Sequence, residues 1–241
     1  MIWQFDHRFS SYEGVESRSS THLPETTEAQ HADPCYQVLP WYWVAEEEVE
    51  GQLQDWDRAW LLGFRKTTNA TNERTVVAVV QLRVAVGDKE PLLFLNQPNA
   101  AVSALLLSGC LNSLACDYVA RQKLGGTDIS HFCMKQFTVL APRAFGEQTR
   151  KLIVPRALEL AYTAWDLKPF ADDVMAEADE ALCDAILAQF ADNRRATGGH
   201  DWSTAPSWVG RSTGFPPSSG TPIAGRCCAP SWMPTMPAST A

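Results

Sequence analysis

Two short polar stretches hold the residue types best suited to contacting an anionic ligand. The first, TTNATNERT at residues 67–75, follows Arg65 and Lys66 and joins two apolar runs without a glycine or proline. The second is RQKLGGTDIS, at residues 121–130. Arg and Lys suit phosphate oxygens, Asn and Gln can pair with base edges, and backbone NH groups beside glycines can complete phosphate contacts. Asn and Thr also stabilise ordinary turns, so a purely structural role stays open on spacing alone.

Other chemistry has no matching motif in the sequence. There is no GxSxG turn, no GxxxxGK[ST] loop and no HExxH pair, and both double glycines follow a helical pattern where a nucleotide-binding turn would precede a helix. The seven cysteines include no CxxC pair. Cys110, Cys116, His131 and Cys133 have awkward spacing for a metal on a helix, so we expect buried free thiols. We predict no catalytic, metal-binding or cofactor-binding residues.

The elements that position the polar stretches follow from hydrophobic periodicity. Residues 60–68, 74–86 and 91–95 are β-branched or aromatic runs that predict strands. Residues 99–124 predict one long helix, with Asn99 as its N-cap and Gly125–Gly126 as its stop. Residues 129–142 predict a further strand or extended segment, and residues 147–195 return to helical patterning.

These elements predict an α/β (α+β) fold with a small mixed sheet, a long packed helix, a helical C-terminal extension and a disordered tail. The predicted segments are 1–55 (acidic), 56–146 (core), 147–200 (helical extension) and 201–241 (tail). Aromatic residues Trp41, Tyr42 and Trp43 are candidates for exposure, as expected of a surface that contacts a partner. On the long helix, five residues are expected in the core: Leu105, Leu106, Leu111, Leu114 and Tyr118.

Charge is unevenly distributed along the chain. The formal net charge is -8, yet residues 1–50 hold 2 basic and 10 acidic residues, whereas residues 51–150 hold 11 basic and 8 acidic residues. The middle of the chain is therefore the place to look for an anionic partner. No run of 18 apolar residues and no basic-then-apolar leader is present, so we expect a cytoplasmic protein without membrane contact.

The last 41 residues differ in composition from the rest. Residues 201–241 contain seven prolines, three tryptophans, three charged residues and no leucine. An ordinary disordered tail is one explanation. A second is a slipped reading frame, because back-translating residues 220–238 and shifting by two bases yields an amphipathic helix. On that hypothesis nothing after about residue 203 was selected to fold, and sequencing the gene tests it.

Several blocks resemble the C-terminal part of large bacterial restriction–modification DNA methyltransferases. The family is adenine-specific and includes type IIG-like and phage-defence enzymes. TNATNERT and ARQKLGGT are the most specific blocks, and the similarity extends over about residues 3–200. The remaining blocks are FDHRFSSYEG, HADPCYQVLPWYWV, WLLGFRK, AVGDKEPLLFL, LNSLACDYV, DISHFCMKQFTVLAP and AYTAWDLKPFADD. The helix, glycine turn and following segment also resemble target-recognition domains of type I specificity subunits.

The resemblance implies a recognition fragment that contacts double-stranded DNA and works with a methylase core on another chain. S-adenosylmethionine serves the full-length family, but the cofactor turn and the Asn-Pro-Pro-Tyr type of loop are missing, so we expect no cofactor on this chain and no independent methylation. Met1 then begins inside a longer ancestral gene. Alternatives are a non-functional remnant or a protein-interaction domain that packs on a separate core. The implied DNA-binding residues are Arg65, Lys66, Thr67, Asn69, Thr71, Asn72, Arg74, Arg121, Lys123, Gly125, Gly126 and Thr127.

Overall fold

The computed structural model describes residues 2–17, 23–53, 55–209 and 214–219 of the chain. Within these ranges, helices and a small antiparallel sheet are combined, which confirms the predicted α/β class. Two short helices lie in the acidic N-terminal segment, α1 (Glu28–Ala32) and α2 (Glu46–Gln52). Both are largely exposed, and α1 begins with a capping box in which Thr27 and Gln30 bond each other's backbone.

The sheet pairs two strands rich in β-branched residues. β1 (Trp60–Phe64) and β2 (Ala78–Leu82) run antiparallel, with Trp60 opposite Leu82 and Phe64 opposite Ala78. The third predicted run follows the other edge of β1, where the Leu93 backbone NH donates to the Leu62 carbonyl at 2.8 Å. That run forms only an isolated bridge between Leu92 and Gly63 and is no full strand. The polar residues 65–77 therefore connect β1 and β2.

The predicted long helix is two helices, so that prediction was wrong. α3 (Ala100–Leu111) and α4 (Leu114–Lys123) are bent by 63° at the break between them. Asn112 at the break bonds the Ala78 backbone in both directions, at 2.8 and 2.9 Å. Ser113 then caps α4 by accepting from the Cys116 backbone NH. α4 ends at Lys123, just before the two glycines, as expected.

Asn99 is the N-cap residue of α3, as predicted, but its side chain makes no capping bond. A carboxylate from a distant helix takes that role. Glu177 Oε2 accepts from the Val102 backbone NH at 2.9 Å, at the N-terminal turn of α3. Negative charge is favourable at this end of a helix.

Residues 129–142 form no strand, contrary to the prediction. Ser130 instead accepts from the Cys133 backbone NH and starts a single helical turn, α5 (His131–Met134). A capping serine at the start of a polar and aromatic stretch favoured that turn over extension. The helical prediction for residues 147–195 is confirmed by α6 (Glu147–Ala161), α7 (Lys168–Glu177) and α8 (Glu180–Thr197).

The largest cluster of buried apolar residues joins β1, α3 and the three C-terminal helices. Leu105, Leu106 and Leu111 are buried as expected. Leu114 and Tyr118 are not, with exposed fractions of 47% and 67%, because the bend turns one face of α4 away from the core. Among the described residues no single helix is long and apolar enough to span a membrane, although α3 and α4 would suffice in length and composition as a bent pair.

Part of the tail packs against the helices, which differs from the expectation of disorder from residue 201. Phe215 is 8% exposed, and its ring lies 4.3 Å from that of Phe190 between centroids. The Ser218 backbone NH donates to the Tyr162 carbonyl at 3.0 Å. Residues 210–213 and 220–241 lie outside the described residues, and the reading-frame hypothesis stays a prediction.

Candidate nucleic-acid interface

The fold brings the two polar stretches together, although 45 residues separate them in the sequence. Thr67 and Asp128 form an isolated antiparallel bridge. The Thr68 NH donates to the Thr127 carbonyl and the Ile129 NH to the Lys66 carbonyl, each at 2.8 Å. We call residues 65–74 together with residues 121–128 the polar edge. One surface of the molecule therefore contains both groups of predicted DNA-binding residues.

Arg121 holds the polar edge together with four hydrogen bonds. Its Nε donates to Asp117 Oδ2 at 2.8 Å. Its two terminal nitrogens donate to the carbonyls of Ala70, Asn72 and Glu73 at 2.7 to 3.0 Å. The other Asp117 oxygen accepts two backbone NH groups, from Thr75 and Val76. A planar guanidinium with five donors suits such a role, and four of the five donors are bonded within the protein.

The amide and hydroxyl groups of the connecting loop mostly bond within it. Asn69 Oδ1 accepts from the Thr71 NH at 2.8 Å and from the Thr71 hydroxyl at 2.6 Å, which closes an Asx turn. Asn72 Nδ2 donates to the Thr68 hydroxyl at 3.2 Å. The Thr67 hydroxyl donates to Asp128 Oδ1 at 3.0 Å. Asn69 thus serves first as a turn former, while the Asn72 amide oxygen still has capacity to accept.

The two arginines at the start and end of the loop differ in their contacts. Arg65 donates to the Arg74 carbonyl at 2.9 Å and lies over the Trp3 ring, 5.1 Å from its centroid. Burial lowers the pKa of the Arg65 guanidinium, against an opposing effect of Asp117. Arg74 Nη1 is buried and has no hydrogen-bond partner among the described residues. The Arg65 guanidinium is therefore engaged within the protein, whereas the partly buried Arg74 guanidinium has no bond to the described residues.

Lys66 is partly exposed and paired with a carboxylate. Its Nζ lies 2.7 Å from Asp88 Oδ1, and this hydrogen bond raises the pKa of Lys66 and lowers that of Asp88. Lys89 lies near the same carboxylates, 3.9 Å from Asp88 and 3.7 Å from Asp128. Surface pairs of this kind contribute little to stability, so they can exchange partners when a phosphate approaches.

Four residues at and just after the end of α4 are accessible to a ligand. Lys123, Gly125, Gly126 and Thr127 are all exposed, and none of the described side chains forms an ion pair with Lys123. No described acceptor takes the backbone NH of either glycine. Neither glycine has a positive φ, and a Cβ at either position would meet nothing within 4 Å. The fold therefore does not require glycine at these positions. Glycine would be required if an outside molecule approached the backbone closely there.

Buried polar residues in the N-terminal segment were missed by sequence reasoning. Arg8 is 0% exposed and donates to the carbonyls of Asp33, Tyr36, His31 and Thr163. His7 Nε2 lies 3.0 Å from Asp166 Oδ2. Burial alone would raise the pKa of Asp166, but His7 and Arg8 hold it below its ordinary value. These contacts attach the N-terminal segment to the connection between α6 and α7, a role that no local motif signals.

Glu90 lies beside β1 and has the most strongly raised carboxyl pKa. Burial raises the pKa of Glu90 from 4.5 to about 7. Its Oε1 has no partner among the described residues, and a Cβ at Gly63 would come within 3.0 Å of it. A carboxyl group in such a position is protonated in mildly acidic solution and ionised above neutrality.

The thiols and carboxylates do not assemble into a metal site within the described residues. Burial raises the pKa of Cys116 to about 12, and it also raises the pKa of Cys110. Both are therefore protonated thiols near neutral pH, which makes them poor metal ligands. Cys35 is exposed, whereas Cys110 and Cys133 are only partly buried, so the expectation of buried thiols holds fully for Cys116 alone among these residues.

No protein-family model matches the chain, and the search of curated proteins and that of solved structures gave no match either.

Proposed function

We propose that the chain is a DNA sequence-recognition fragment of a site-specific adenine DNA methyltransferase, without its own catalytic core. The observation that supports this best is the glycine pair at the end of α4. Its two backbone NH groups are unpaired among the described residues, and a glycine is not needed there for either conformation or packing. Lys123 lies two residues before the pair. Together they fit a phosphate of duplex DNA.

The DNA contacts that we assign to each residue follow from which of its groups are not bonded within the protein. Lys123 and the NH groups of Gly125 and Gly126 contact phosphates and fix position. Thr71, Asn72 and Thr127 are candidates for contacts with base edges, since hydroxyl and amide groups can donate and accept there. Arg121, Arg65 and Asn69 shape the edge and do not contact DNA. Methylation would require a core on another chain that binds S-adenosylmethionine.

Alanine substitutions at the glycine pair give a direct test. Gly125→Ala/Gly126→Ala should leave the free energy of unfolding unchanged or raise it by about 0.4–1 kcal/mol per site, because alanine restricts the unfolded chain. The same double variant should weaken binding to duplex DNA about tenfold or more, since methyl groups block approach to the backbone. Gly51→Ala is a matched control, because a Cβ there also meets nothing within 4 Å.

Binding is measured by fluorescence anisotropy on duplexes selected from a randomised pool. Unchanged affinity in the double glycine variant would contradict the assigned contacts. Failure of the wild-type chain to enrich any duplex would contradict the proposed function itself. Measurable S-adenosylmethionine binding by this chain alone would contradict the statement that the cofactor site lies elsewhere.

A protein-interaction role is the second candidate, and a specific observation favours it. Four large aromatic residues are more than half exposed: Trp43 by 79%, Phe132 by 75%, Tyr118 by 67% and Tyr42 by 60%. Aromatic residues on a surface commonly mark contact with another protein. If the chain enriches no duplex but forms a defined complex with a methylase core, the interaction role replaces DNA recognition.

A further inference from the structure

A second cationic feature lies at the other end of the α3–α4 segment from the polar edge. Residues from the loop before α3, from α3 itself and from the start of α6 line a cleft of about 240 Å³. We call this the arginine cleft, after Arg143 and Arg150 on its wall. Its floor includes Val102 and Leu106, and no acidic residue lines it.

Neither arginine has a hydrogen-bond or ion-pair partner within the part of the chain that the structure describes. No carboxylate among the described residues lies within 4 Å of either guanidinium, in contrast to Arg58, Arg83 and Arg121. Arg150 lies in the first turn of α6, where the helix dipole disfavours a cation. Local structure therefore does not explain why two positive charges converge on one cavity.

Neutral polar groups complete the lining. Ser103 is only 4% exposed and faces the cleft, and none of the described residues hydrogen-bonds its hydroxyl. Gln97 and Asn99 lie beside it, and the Asn99 side chain is not used as a helix cap. The backbone NH of Val102 is already bonded to Glu177, so the helix end itself supplies little to this site. The side chains of the cleft are what remain to bind a ligand.

We propose that the arginine cleft binds a phosphate-type oxyanion. Two guanidinium groups can each bond a tetrahedral oxyanion through paired donors, and the hydroxyl and amide groups can satisfy its remaining oxygens. The cleft is smaller than the roughly 300–1,000 Å³ typical of pockets for drug-sized molecules. It therefore accommodates a phosphate group with a small part of the molecule that carries it. This inference does not depend on the proposed DNA contacts of the polar edge.

The test uses the full chain and inorganic phosphate as the probe. Thermal unfolding and calorimetric titration are compared in phosphate and in chloride at equal ionic strength and pH. Arg143→Gln/Arg150→Gln should lower phosphate affinity about tenfold or more, because charge-assisted contacts are lost. Arg156→Gln is the matched control on α6, since Arg156 bonds the Leu152 carbonyl and does not line the cleft. Arg150→Lys is a milder variant that keeps the charge and loses the paired donors.

Measuring duplex DNA binding by the same variants identifies the source of the oxyanion. If free phosphate stabilises the wild type and not the double variant, a small phosphate-bearing ligand occupies the cleft. If only duplex affinity falls in the double variant while Arg156→Gln binds normally, a backbone phosphate occupies it. Equal phosphate binding by wild type and double variant would overturn the proposal. The proposal would also be overturned if phosphate stabilised the wild type no more than chloride does and the double variant bound duplex DNA as well as the wild type.

Discussion

The polar edge and the arginine cleft are both cationic, but they differ in what their charges contact. At the polar edge Arg121 donates to three backbone carbonyls and one carboxylate, and Lys66 is paired with Asp88. In the arginine cleft Arg143 and Arg150 have no carboxylate partner among the described residues. The comparison teaches that residue type shows where charge lies in the sequence, whereas the partners of each donor determine which charge is free to bind a ligand.

The largest effect is expected from removing the guanidinium at the centre of the polar edge. Arg121→Met should lower the free energy of unfolding by about 3 kcal/mol, because the carbonyls of residues 70–73 lose their donors and Asp117 is left buried without its cation. Lys123→Met on the same helix should change it by less than about 0.5 kcal/mol. Urea unfolding measures both. A loss below 1 kcal/mol for Arg121→Met would contradict the statement that the bonds of Arg121 hold the polar edge together.

A pH-dependent effect should follow from the unpaired Glu90 carboxyl beside the polar edge. Its pKa is raised from 4.5 to about 7 in the folded state, so the unfolded chain ionises first as pH rises. The contribution of Glu90 to stability is present below pH 4.5, falls as pH rises to about 7, and is constant above that. Glu90→Gln should therefore equal the wild type at pH 4 and be more stable at pH 8 by up to about 3 kcal/mol.

Unfolding curves at several pH values measure this difference. Glu73→Gln is the control for the same chemical change at an exposed position. A difference between Glu90→Gln and the wild type that stays flat from pH 4 to pH 8 would show that the Glu90 carboxyl has a partner.

A smaller effect is expected from the Asx turn. Asn69→Ala removes the acceptor of two bonds from Thr71 and should lower the free energy of unfolding by about 1 kcal/mol. Asn69→Asp keeps the acceptor and should stay within about 0.5 kcal/mol of the wild type. If the aspartate variant is as unstable as the alanine variant, the Asn69 amide NH₂ has a structural role of its own.

The sequence was sufficient to predict elements with strong local periodicity. The β-branched runs of β1 and β2 and the apolar spacing of α6 to α8 are signals within single segments. The break between α3 and α4 was not predictable, because it depends on bonds from Asn112 to Ala78, 34 residues away. The exposure of Leu114 and Tyr118 follows from the same bend.

The sequence singled out the two polar stretches of the candidate site, but it predicted neither their meeting nor the contacts of each residue. The fold places both predicted polar stretches on one edge. Arg121 and Lys123 look equivalent in the sequence, yet one is bonded to residues about 50 positions earlier and the other is free among the described residues. The arginine cleft gave no signal, because Ser103, Arg143 and Arg150 meet only through the packing of α3 against α6.

The salt dependence of duplex binding tests the proposed polar edge most directly. If Lys123 neutralises one phosphate and Lys66 exchanges Asp88 for a second, log affinity should fall with log salt at a slope of about -1 to -2, because the uncharged glycine NH groups release no counterions. Lys123→Gln should reduce that slope by about 1. Arg121→Lys, measured where it is folded, should leave the slope unchanged because Arg121 contacts no phosphate. A slope that falls with Arg121 and not with Lys123, or duplex binding that does not depend on salt, would contradict the account.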